Sequence, residues 1–260
     1  MGQQYDDGEQ MGRGCNTPVM PAVLHPLDNP VWDALTHGQS GFSVGTGAAR
    51  RYRSDISVFC GMPDSTDEAW SDLADLGGEE RVVVLFRPGP IEEPTDWERL
   101  YSGSGIQMVL DSEPRSAPGL PPIDPATGLK VTMRSLDETD IEQMIALVAR
   151  TEPGPFLHRT IELGGYVGIF HGGALVAMAG QRMRPTGYCE ISAVCTDDAA
   201  RRRGYASVAT AAVADGIRRR GEVPFLNVRT DNVAAIPVYE RLGFVKRTIT
   251  QFAVLRCPVA

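Results

Sequence analysis

The most constraining feature of this 260-residue chain is the unit between Tyr188 and Arg220. An apolar run, YCEISAVCT (188–196), leads through Arg201-Arg202-Arg203-Gly204-Tyr205-Ala206 into a stretch that reads as a helix from Tyr205 to Arg220, with Ala and Val on its inner face. A glycine turn that delivers a strand into a helix leaves the first N–H groups of that helix without internal partners, and the helix dipole favours negative charge there. Gly204 lets a ligand reach the backbone with no side chain in the way. Such a unit holds phosphate on amides and needs no particular side chain. The plain alternative is a solvated turn carrying three arginines. A Walker-type nucleotide site is a poorer reading, because no G-K-[ST] is present to reach phosphate and magnesium.

Around this unit the second half has a regular rhythm. Residues 129–136 read as a strand, and 137–151 as an amphipathic helix with Ile141, Met144, Ile145 and Val148 on one face. Residues 156–163 suggest a second helical stretch. YVGIFHGGALVAMAGQRM reads as two strands about His171-Gly172-Gly173. After the long helix come a strand at 223–229, a helix at 234–243 closed by Gly243, and an extended strand over 244–256. The expected order is β-α-α-β-β-β-α-β-α-β.

The first half is less rhythmic. Residues 1–20 are polar without periodicity and are expected to form a flexible tail. Asn29 with Pro30 predicts a capped helix start, and Ser65 with Glu68 a capping box ahead of a short helix ending at Gly77-Gly78. Residues 81–87 (RVVVLFR) predict a buried strand, 94–101 a short helix, and 105–110 another strand. Five prolines between 112 and 128 read as a linker. The expected division is a tail at 1–20, an accessory α/β domain at 21–115, a Pro-rich linker at 116–128, and a catalytic domain at 129–260.

Charge separates the halves. Residues 1–129 hold 8 Lys and Arg against 20 Asp and Glu, and residues 130–260 hold 17 against 13. An acidic chain is a poor nucleic-acid binder, whereas a local basic patch suits a small anionic ligand. Five scattered cysteines without C-x-x-C spacing, and four separated histidines, argue for a reducing interior and no metal site. The acidic start lacks the features of a signal peptide, and Asp6 stands where a myristoylation motif after Gly2 needs Ser or Thr. No run approaches the roughly 18–20 apolar residues of a membrane span. The chain is expected to be cytoplasmic, a monomer or homodimer, with no nucleic-acid or membrane partner.

The element order resembles that of the GNAT superfamily of acyl-CoA-dependent N-acyltransferases. Four features match in register: the strand with Glu190 to Thr196, the R-x-x-G-x-A turn at 201–206, Asn232 after the next strand, and Val238-Tyr239-Glu240-Arg241-Leu242-Gly243-Phe244. The resemblance covers about 130–255. It implies a mixed α/β fold with a central splayed sheet flanked by helices, accompanied here by a smaller N-terminal α/β domain that is either GNAT-like and degenerate or unrelated.

The resemblance also implies roles. Acetyl-CoA, with no metal, is the expected co-substrate. The backbone of Val194, Cys195 and Thr196 would pair with its pantetheine arm, and its pyrophosphate would lie on the turn of Arg201, Arg202, Arg203, Gly204, Tyr205, Ala206 and Ser207. Asn232 would bind cofactor or cap the next helix. Tyr239 would protonate the departing thiolate; the alternative is a ring packed in a helix. Glu190 is the candidate base, with a structural or substrate-orienting carboxylate as the alternative; period two puts 190, 192, 194 and 196 on one face. Glu162 and His158 are secondary candidates. Cys195 as a nucleophile is disfavoured, since no basic partner lies near it in sequence. A bulge N–H near Val194–Cys195 would serve the oxyanion.

The implied reaction is acetyl transfer to a primary amine of a small metabolite or amino-acid-like acceptor by direct attack. A longer acyl chain, a protein acceptor, or a non-catalytic CoA-binding module remains open. The first half is expected to wall the acceptor site, its acidity favouring a cationic acceptor.

Overall fold

The computed structural model describes residues 25–77 and 81–258. The expected tail at 1–20, with Gly2 and Cys15, lies outside the described residues. The first half contains α1 (Pro30–Thr36), β1 (Ser43–Val44), β2 (Arg50–Tyr52), β3 (Phe59–Gly61), α2 (Asp67–Asp75), β4 (Val82–Pro88) and β5 (Glu98–Val109). The second half contains β6 (Val131–Leu136), α3 (Ile141–Thr151), β7 (Tyr166–His171), β8 (Ala174–Gln181), β9 (Tyr188–Thr196), α4 (Tyr205–Arg218), β10 (Val223–Arg229), α5 (Ile236–Leu242) and β11 (Val245–Arg256). Among the described residues no helix is long and apolar enough to cross a membrane.

The eleven strands of the described residues form one mixed sheet, in the order β1-β2-β3-β4-β11-β5-β10-β9-β8-β7-β6. The C-terminal strand β11 therefore runs between β4 and β5, antiparallel to both, and ties the two halves of the chain into one ladder. On one face, α4 buries Tyr205, Val208, Ala209, Val213 and Ile217 against Ile169, Ala177, Ile191, Leu226 and Val228. Full burial of each such aliphatic side chain is worth about 1.5–3 kcal/mol. On the other face, Leu27, Val31, Leu35, Tyr52 and Phe59 of the first half pack on Phe86, Val109 and Phe225.

Four local expectations are corrected. Residues 98–101 are strand, because β5 continues across the sheet and pairs out to Glu98↔Arg256 on β11. The cap of α2 is Thr66, whose Oγ1 accepts from Ala69 N at 3.3 Å, while Ser65 Oγ accepts from Arg87. Asn29 does not cap α1; its side-chain amide donates to Met62 O at 2.6 Å. The stretch 156–163 holds a single 3-10 turn, Thr160–Leu163, anchored by Thr160 Oγ1 donating to Ile56 O at 2.7 Å. In each case a partner distant in sequence outweighs a local preference.

Candidate active site

Strands β9 and β10 run parallel and pair from Tyr188↔Val223 to Ile191↔Leu226, where the pairing ends. Both strands continue, β9 on its β8 partner and β10 on β5. They part because β9 carries a bulge. Its register against β8 jumps from Gly180↔Ser192 to Met178↔Cys195, leaving Ala193 and Val194 opposite one residue, and Ala193 takes φ +52°. A bulge bends its strand and strengthens the local twist. The wedge that opens is a cavity of about 660 Å³.

The bulge also overturns the single face expected for 190, 192, 194 and 196. Glu190 faces away from α4, whereas Val194 packs against the α4 core with Ile191. Past the bulge, Cys195 turns into the core under α3 with Met144, Leu147 and Met178. Burial pushes its thiol up to about 11, so it is a protonated core thiol and a poor nucleophile.

At the mouth of the wedge, Arg202 at φ +64° and Gly204 at φ +78° turn the chain into α4, which has no side-chain cap. The amides from Arg202 to Ser207 donate to no partner among the described residues; the first intrahelical bond is Val208 N to Gly204 O at 3.0 Å. These free donors at a helix N-terminus form an anion cradle. Arg201 and Arg202 lie on the cavity lining, with Arg201 2.7 Å from Asp198. Arg203 does not: it donates to Ala199 O at 2.6 Å and approaches Asp124 Oδ2 at 3.1 Å. Tyr205 turns its side chain into the core, where its hydroxyl meets His171 Nε2 at 2.8 Å.

Tyr239 lies on the cavity wall, its ring edge-on to Phe244 at 6.2 Å. Gly243, at φ +102°, closes α5 and lets Phe244 N donate back to Tyr239 O at 3.1 Å. The Tyr239 hydroxyl has no hydrogen-bond partner among the described residues. Burial, aided by the nearby Cys195, pushes it above the ordinary phenol range, so it is protonated at neutral pH. Asn232 Oδ1 accepts from Ala235 N at 3.2 Å, capping the turn into α5, and the residue also lines the cavity. Thr196 Oγ1 is buried without a partner beside the cavity.

Glu190 is fully buried and off the cavity lining. Its oxygens accept from Arg182 Nε and Nη2, each at 2.8 Å, and from Asn227 Nδ2 at 2.9 Å. A carboxylate held this way is committed to Arg182, so the geometry favours the structural alternative over a general base. Glu162 is an exposed partner of Arg159, and neither it nor His158 reaches the cavity.

Sequence reading missed Arg182, Ser192 and Asn227, which line the inner end of the wedge. Asn227 gave a usable signal as one polar residue inside VPFLNVR; Arg182 gave none, because its partner Glu190 is named only by the sheet. The lining holds Arg182, Arg201, Arg202, Arg229 and Arg241 against one carboxylate, Glu152. The acidic wall expected from the first half is not on it: every lining residue lies between Thr151 and Arg241. Among the described residues no His, Cys, Asp and Glu cluster could hold a metal ion.

Residues 166–253 match a family model described as FR47-like protein. A solved structure from Novosphingobium aromaticivorans, described as an acetyltransferase from the GNAT family, is 34% identical, covering 90% of this chain and 100% of that one with a TM-score of 0.77. A GCN5-related N-acetyltransferase from Kribbella flavida shares the fold at 17% identity, with 89% and 96% of the chains covered and a TM-score of 0.60. A Drosophila protein does so at 18% identity, 80% and 73% coverage and a TM-score of 0.58. No curated protein matches the chain. The parted parallel strands and the amide cradle thus occur in a chain that is 34% identical, over nine-tenths of its own length, to a solved GNAT acetyltransferase, and this chain belongs to the GNAT family.

Proposed function

We propose that the chain transfers an acetyl group from acetyl-CoA to the primary amine of a small acceptor by direct attack in a ternary complex. The observation that carries this reading is the wedge between β9 and β10, with unpartnered amides from Arg202 to Ser207 at its mouth and Tyr239 on its wall. Pyrophosphate would accept from those amides. The pantetheine arm would lie along Val194, Cys195 and Thr196, with Asn232 beside it.

In the transfer, the amine nitrogen forms the new C–N bond as the thioester C–S bond breaks. Tyr239 gives its proton to the departing sulfur, and the proton shed by nitrogen restores Tyr239 through solvent. The bulge at Ala193–Val194 supports an oxyanion donor from this stretch of backbone. Most of the acceleration comes from holding the amine against the thioester.

A thermal-shift titration with acetyl-CoA, longer acyl-CoAs and free CoA tests the reading. Ligand at about 100 times its Kd stabilises by about 2.7 kcal/mol, a rise of roughly 5–10 °C for a chain of this size. Gly204→Glu puts a side chain at φ +78°, its Cβ 2.9 Å from Pro118 Cγ, and a negative charge in the cradle. Wild type shifting while a folded variant does not supports the site. No shift with any CoA species overturns it. The best acyl chain decides between acetyl and longer donors.

A further inference from the structure

We propose that Arg182 is a carboxylate-binding residue at the inner end of the wedge, so that the acceptor is an amine that also carries a carboxylate. This deepens the acyl-transfer reading and rests on it.

Arg182 follows β8 and sits with Glu190 and Asn227 on the sheet face opposite α4. Its guanidinium has five N–H donors in a fixed plane. One edge, Nε and Nη2, is taken up by the two oxygens of Glu190. The plane lies over the Phe59 ring, 4.8 Å from its centroid, and that ring comes from the first half of the chain. Nη1 makes no hydrogen bond among the described residues, yet Arg182 lines the cavity. The remaining edge, Nη1 with the second hydrogen of Nη2, presents two parallel donors, the geometry that a carboxylate accepts in bidentate fashion.

The surroundings favour the same ligand. Glu190 accepts from Arg182 twice, from Asn227 and from the Met183 amide, so it offers little to a cationic group at this end. It also fixes the guanidinium, which then meets an incoming carboxylate without being reordered. Of the carboxylates only Glu152 is on the lining, at the end of α3, whereas the uncharged Asn227 shares Glu190 Oε1 with Arg182. An amine without an anionic group would leave the Nη1 edge of this cavity-lining residue without a partner.

The test compares α-amino acids with the matched amines that lack the carboxylate, using acetyl-CoA and full-length protein, with CoA release as the readout. Wild type is expected to favour the carboxylated member of each pair by about 10–100-fold in kcat/KM. Arg182→Lys retains a cation for Glu190 but loses the fork; it is expected to raise the acceptor KM by about tenfold or more while the acetyl-CoA thermal shift is unchanged. Should that variant not fold, Arg182→Met/Glu190→Met removes the pair together and carries the same expectation. Equal use of matched amines, or an unchanged acceptor KM in a folded variant, would overturn the proposal. So would a protein that binds acetyl-CoA but neither acetylates nor is thermally stabilised by any carboxylated amine. Failure to bind any acyl-CoA is a separate result, and it removes the acyl-transfer reading itself.

Discussion

Arg203 Nε lies 3.1 Å from Oδ2 of Asp124, a carboxylate with no exposed surface in the proline-rich segment between the halves. His171 Nε2 stands 3.5 Å from the same oxygen and meets the Tyr205 hydroxyl at 2.8 Å. Burial opposes the Asp124 charge, but the Ala126 amide, Arg203 and His171 hold its carboxyl below the usual range. Pro118 of the same segment lies against Gly204. The segment thus braces the turn that carries the amide cradle.

Asp124→Asn is therefore expected to loosen the cradle without touching the chemistry. The acyl-CoA KM should rise about 3–10-fold, with kcat within about twofold of wild type. Steady-state kinetics with varied acyl-CoA checks this. A fall in kcat at constant KM would place Asp124 elsewhere in the mechanism.

Tyr239→Phe keeps the ring against Phe244 and removes the proton. If Tyr239 is the general acid, kcat should fall about 10²–10⁴-fold while the acetyl-CoA thermal shift is retained. Unchanged turnover would assign the ring to packing alone.

Glu190→Ala leaves Arg182 charged and buried without its partner, and should lower stability by about 3–5 kcal/mol. Removing both, in Arg182→Met/Glu190→Met, should recover most of that loss. Denaturant unfolding measures both. A full loss of turnover in a stable Glu190→Gln protein, together with disappearance of the acidic limb of kcat/KM, would restore Glu190 as the base.

Asp140 gives the clearest pH dependence. Its oxygens accept from Arg134 Nη1 and Nη2 at 2.6 and 2.7 Å, and Asp137 N donates to Oδ2 at 3.1 Å to complete the capping box ahead of α3. The Arg134 guanidinium holds this carboxyl below the usual range, against the cost of burial. The folded value lies under the unfolded one, so the stabilisation is complete above the ordinary Asp value near ~3.9 and is lost as pH falls through the folded value. Asp140→Asn should cost about 1–2 kcal/mol at pH 7, a gap that narrows below about pH 4. A gap constant down to pH 2 in urea titrations would refute this account.

Much of the fold was legible in the chain. Strands β6 to β11, helices α3 to α5 and the turn at Gly204 follow from periodicity, caps and glycine positions that act within a few residues. Of the expected site residues, Glu190, Arg203, Glu162 and His158 stay off the wedge; ion pairs with Arg182, Asp124 and Arg159 hold the first three elsewhere. The helix expected at 98–101 is strand because of partners on β11, which lie more than 150 residues away in the chain.

The sequence by itself determined the strand–turn–helix that presents free amides, because helix termini and positive-φ turns are local properties of the backbone. Tertiary structure alone decided that β11 joins the halves between β4 and β5, that a bulge at Ala193 opens the wedge, and that Arg182 takes Glu190 as its partner. Those outcomes depend on register between strands, and a carboxylate finds its cation across the sheet only once that register is set.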